Sequence, residues 1–140
     1  MPRTRGGRSR HLGDTGAETV SMAILFPLAL LLILAIVQAG MLWHAHNVLA
    51  ESAQAGVNAG RVLYATPADA HAAASSFLNR AGRNVITAPA VRVNRGAERV
   101  LVTVTGTAPR VLPLPGVTLR LTAGAAAPVE RWTSDAGGAP

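Results

Sequence analysis

The chain has 140 residues, a formal net charge of +6, 49% hydrophobic content and only 14% charged residues, about half the charge density of an ordinary soluble domain. One core of modest size is all that such a length can bury, which excludes a large multidomain enzyme. With no cysteine, a disulfide scaffold, a cysteine-bound zinc or iron–sulfur centre and a thiol nucleophile are excluded together. All thirteen basic residues are Arg, scattered along the chain with few aromatics between them. That is not the clustered, stacking-rich pattern of a nucleic-acid surface, and no nucleic-acid partner is expected.

In chain order, residues 1–19 form a basic leader with Arg3, Arg5, Arg8 and Arg10 and almost nothing apolar to bury; disorder on the cytoplasmic side is expected. From Val20 to Trp43 there are 24 residues without a charge. As a helix they would extend about 36 Å, against a hydrocarbon layer of about 30 Å. Eight of the ten residues 28–37 are Leu, Ile or Val, with Leu31 and Leu34 near the centre, and each favours insertion by roughly 0.3–0.6 kcal/mol. The run exceeds a signal-peptide core, and a remainder this small could not enclose it, so a single transmembrane helix in contact with lipid is expected. Pro27 falls in its early turns, where membrane helices tolerate proline. Gln38 and Trp43 fall near the outer boundary, at headgroup level.

The Arg-rich leader precedes the run, whereas the first charge after it is Glu51 and the first Arg is Arg61. The positive-inside rule then keeps the N-terminus cytoplasmic and puts everything from His44 onward outside. Over 44–64 the helix is expected to continue, with Val48, Leu49, Val57 and Leu63 on helical spacing. Ser52, Gly56 and Gly60 form a row of small residues at intervals of four. Either the row packs against another backbone, or the two glycines mark a loosened helix end.

Residues 65–132 read as a small domain. Thr66 as N-cap, Pro67 at the first helical position, Asp69 three residues after the cap and Gly82 as terminator predict a second, amphipathic helix with Ala70, Ala73, Ala74, Phe77, Leu78 and Ala81 on its apolar face. The period then changes to two. Val91 and Val93, a turn over 94–97, and Val100, Val102 and Val104 predict a hairpin. A connector rich in proline (Pro109, Pro113, Pro115, Gly116) leads to a third strand through Val117, Leu119 and Leu121. Residues 133–140 should fray.

No catalytic constellation emerges. His44 and His46, two apart on a helix, face different ways, and His11 and His71 stand alone, so no metal site is expected. Ser52, Ser75, Ser76 and Ser134 lack a nucleophile-elbow setting, the seven acids occur singly, and phosphate-cradling glycine loops are absent. Neither an enzyme nor a cofactor is expected. The sum is an α+β, pilin-like architecture: a long N-terminal transmembrane helix continuing into a small extracytoplasmic domain with a second helix and an antiparallel sheet of about three strands.

GAETVSMAILFP at 16–27, VQAGMLWHAHNVLAESAQAG at 37–56 and the closing VTVTGTAPRVLPLPGVTLRLTAGAAAPVERW together resemble the TadE-like family, pilin-like or pseudopilin proteins of tight-adherence (Tad/Flp) pilus systems. The resemblance implies a leader cut after a glycine by a prepilin-type peptidase, with Glu usual at the fifth mature position, and association with other pilin-like subunits and the Tad assembly platform. A cut after Gly16 gives a mature chain starting at Ala17 with Ser21 fifth. A cut after Gly13 makes Glu18 fifth. The cost of the usual Glu, deep in the membrane, is offset by pairing with a neighbouring subunit's new terminal amine, which Ser21 cannot do; Glu18 lies nearer the cytoplasmic boundary and escapes most of that cost. The resemblance implies a minor pilin-like component that acts by assembly. The alternative is a stand-alone membrane-anchored protein with a small extracytoplasmic binding domain.

Overall fold

The computed structural model describes residues 14–111 and 116–131, with side chains from Ser21 onward. The leader up to Gly13, His11, Pro113, Pro115, Ser134 and the tail 133–140 lie outside the described residues. In order come helix α1 (Asp14–Gly60), helix α2 (Pro67–Ala81) and strands β1 (Thr87–Arg95), β2 (Arg99–Thr107) and β3 (Arg120–Pro128). The α+β arrangement expected from the change of period, one long apolar helix followed by a helix and a three-stranded antiparallel sheet, is the one observed.

The chain divides into two compact units, with the division between Ile36 and Val37. In the first, α1 carries apolar side chains around its whole circumference. Met22, Phe26 and Leu31 are 71%, 71% and 56% exposed. α1 passes Pro27 as one helix.

In the second unit α1 becomes one-sided. Ala45, Leu49, Ser52, Gly56 and Gly60 are buried, at steps of three and four that keep one face inward, and Gln38 is buried one heptad before Ala45. α2 supplies Ala70, Ala74 and Leu78 to the same core. Its start is fixed as the sequence suggests: Thr66 and Asp69 form a reciprocal capping box, with Pro67 at the first position. The sheet has the order β1-β2-β3, so β2 is central. Its alternation buries Val100, Val102 and Val104 completely, while Leu101, Thr103 and Thr105 face the other way.

Three local features differ from the periodicity. α1 stops at Gly60, where Arg95 on β1 donates its Nε–H to the terminal carbonyl at 2.8 Å, the kind of side-chain partner that satisfies a helix C-terminus. The hairpin turn sits later than 94–97: β1 runs to Arg95, and the Gly96 N–H donates to the Arg99 carbonyl at 2.9 Å. The third strand starts at Arg120, not Val117, and continues through TAGAAAP to Pro128. Alanine and glycine are poor strand formers, but β2 offers a ladder along its whole length, and Ala123, Ala125 and Ala127 pair with Val104, Val102 and Val100. Partner register, not intrinsic preference, makes this segment a strand.

Candidate functional site

Enclosed chemistry is sparse. His44 and His46 are both exposed on α1. Among the described residues no three metal-ligating side chains come together. The nearest approach to a reactive pair is Ser75 Oγ, 3.4 Å from His71 Nδ1, in a shallow open groove between α2 and β1 that Leu78, Asn79 and Pro89 also line. Residues four apart on an exposed helix meet in this way routinely. No described carboxylate orients the imidazole, so the pair lacks the third group that would activate the hydroxyl.

Three other surfaces carry the functional interest. The first is the apolar stretch of α1. Ser21–Gly60 is the one helical segment among the described residues long and apolar enough to cross a membrane, with a mean hydropathy of 2.6 in its most apolar window. Within it Leu31 is exposed, Leu34 half-buried and Trp43 70% exposed. Val20, Gly16, Ala17 and Glu18 fall in the first turns of α1, whereas Gly13 lies outside the described residues.

The second surface is internal, and it is the row of small residues. Ser52 donates its hydroxyl to the Ala74 carbonyl at 3.0 Å, fully buried. A Cβ placed on Gly56 would stand 3.0 Å from the Ala70 carbonyl oxygen and 3.1 Å from both Ala74 Cβ and Val102 Cγ1. On Gly60 it would meet Ala70 Cβ at 2.9 Å and Val100 Cγ2 at 3.0 Å. α2 and β2 therefore come within backbone distance of α1 along this row, which no larger side chain would permit. Gly60 is at once a packing residue and the helix end.

The third is the base of the β2–β3 connector. Gln38 is buried against this connector. Its Oε1 accepts the Val111 N–H at 2.7 Å and its Nε2 donates to the Pro109 carbonyl at 3.2 Å. Arg95, which caps α1 through the Gly60 carbonyl and reaches the Val62 carbonyl at 3.4 Å, is a second residue whose role the sequence did not announce. Both partnerships join residues more than thirty positions apart, and no local pattern encodes them. Charge is otherwise peripheral: Arg61–Glu130 at 3.7 Å and Arg131–Glu98 at 3.5 Å are exposed pairs, of the kind that contributes little.

Residues 16–58 fit the family model of the TadE-like proteins, the family that the N-terminal blocks resemble. Neither a curated protein nor a solved structure matches the chain significantly.

Proposed function

Taking the TadE-like character of residues 16–58 as the premise, we propose that this chain is a membrane-anchored, minor pilin-like component of a Tad-type pilus or secretion apparatus, acting by assembly and not by catalysis. One coincidence carries the proposal. The matched segment includes the part of α1 whose apolar side chains, such as Met22, Phe26 and Leu31, are exposed, and it ends in the stripe that holds α2 and β2. A helix greasy on all sides is stable in lipid or among like helices, so the anchor is also the natural surface for neighbouring pilin-like subunits.

In this reading the leader stays cytoplasmic and the sheet-bearing unit is extracytoplasmic, in keeping with four Arg before the apolar run and none after it until Arg61. A prepilin-type peptidase cuts after Gly16 or Gly13. Only the second leaves an acid, Glu18, at the fifth position. The departure at Ser21 favours one competing reading, an uncleaved stand-alone anchor.

The intact mass of the protein extracted from membranes decides between them. Loss of the residues up to Gly13 or Gly16 supports the pilin-like reading, and a full-length chain supports the plain anchor. Leu31→Arg places a charge near mid-span at a cost of about 2.5–3.5 kcal/mol, comparable to the insertion energy of the Leu and Ile around it. The variant should leave the bilayer fraction, and unchanged fractionation would defeat both readings.

A further inference from the structure

From Met22 up to Trp43, Gln38 is the only side chain with an amide, hydroxyl or charge, and it is buried. Both ends of its amide engage one short backbone stretch: the Pro109 carbonyl accepts from Nε2 and the Val111 N–H donates to Oε1. The connector is closed on itself just beyond. The Ala108 N–H donates to the Leu119 carbonyl at 2.9 Å, and the Arg110 guanidinium donates to the Val117 carbonyl. The level of this loop base along α1 follows from the sheet. Val100 lies against Gly60 and Val102 against Gly56, so β2 runs antiparallel to α1, and its far end delivers the connector to Gln38. That residue precedes the exposed indole of Trp43 by five positions, about 7.5 Å along the axis. The loop base thus meets α1 inside the apolar run, not beyond it.

Irregular backbone is tolerated at such a depth only when its polar groups have partners. The amide of Gln38 and the two backbone groups partner one another, while Val117 stays 42% exposed and Val111 half-buried. We propose that the base of the β2–β3 connector, residues 109–111 with 116–117, rests in the interfacial layer of the bilayer beside α1, as a second lipid contact pinned to the anchor by Gln38. The proposal rests on the membrane-anchored reading above. It commits to lipid as the occupant because the surface lies level with an apolar run that the same bilayer must accept.

The chain has no cysteine, so a single introduced thiol labels uniquely. Val117→Cys, Leu31→Cys and Leu101→Cys would each carry an environment-sensitive dye on the full chain in phosphatidylcholine vesicles, read with lipid-borne bromine quenchers and with aqueous iodide. The Val117 dye should be quenched by brominated lipid several-fold more than the Leu101 dye and shielded from iodide. Adding Gln38→Leu should move it toward the Leu101 behaviour while the Leu31 dye is unchanged. If iodide reaches the Val117 dye as it reaches Leu101 while the Leu31 dye remains lipid-quenched, the connector inference falls and the anchor stands. If iodide reaches Leu31 too, the anchor reading falls with it. A Val117 dye shielded from both quenchers means a protein neighbour covers the loop, which also overturns the proposal.

Discussion

Gly40 and Gly56 lie on the same helix, and replacing each with alanine should shift stability in different directions. In a helix interior the change favours the folded state by about 1 kcal/mol through propensity alone. At Gly40 nothing stands within 4 Å of the new Cβ, so that gain should appear nearly whole. At Gly56 the Cβ arrives 3.1 Å from Ala74 Cβ and from Val102 Cγ1, and 3.0 Å from the Ala70 carbonyl oxygen. Carbon pairs settle at about 3.5–4.0 Å, and the third neighbour is backbone that cannot rotate away. Overpacking of this kind costs about 1–3 kcal/mol, which leaves Gly56→Ala between roughly neutral and about 2 kcal/mol destabilised once the propensity gain is counted. The difference between the two variants is the packing contribution by itself. For a unit of this size it should separate their thermal midpoints by roughly 4–24 °C, measured by near-UV circular dichroism in detergent. The double variant Gly56→Ala with Val102→Ala removes one of the three close neighbours and should lose less than the sum of its parts. Equal midpoints for Gly40→Ala and Gly56→Ala would refute the claim that the small-residue row is a close-approach seam.

Three further outcomes follow from particular contacts. Ser52→Ala removes the buried hydroxyl that bonds the Ala74 carbonyl and should cost about 1 kcal/mol in a denaturant titration; no change would mean that the hydroxyl contributes no net stability. Arg95→Met removes the cap on Gly60 at a cost of about 1.5 kcal/mol, the low end for a charge-assisted bond because the site is only partly buried, and should speed hydrogen exchange in the last turn of α1. The N–H and hydroxyl of Thr66 hold the Asp69 carboxyl below its ordinary pKa. A depressed carboxylate stabilises the fold above the unfolded value, and that contribution is lost as pH falls through the folded one. The amides of Asp69 and Ala70 should therefore lose exchange protection on acidification below the usual carboxylate range, and Asp69→Asn should flatten the response.

How much was readable in advance differs by element. The capping box of α2 is wholly local: Thr66 and Asp69, three residues apart, bond to each other's backbone N–H and to each other's side chain, and the sequence announces it. The period-two valines of β2 likewise announce a strand with one buried face. β3 did not announce itself past Thr122, since GAAAP has no strand signature and is ordered by pairing with β2. Composition displayed the row Ser52, Gly56 and Gly60 but left open whether it was a seam or a frayed end, because small residues serve both purposes.

An apolar run too long to bury, and its leader of arginines, are properties of the chain taken alone, since transfer to lipid depends on each side chain nearly independently. The choice of neighbours is not. That Gln38 takes the backbone of Pro109 and Val111, or that Arg95 closes a helix ending 35 positions earlier, depends on which segments the core brings together. Hydrogen bonds between distant residues are fixed by packing of the whole unit, and no short window of sequence contains them.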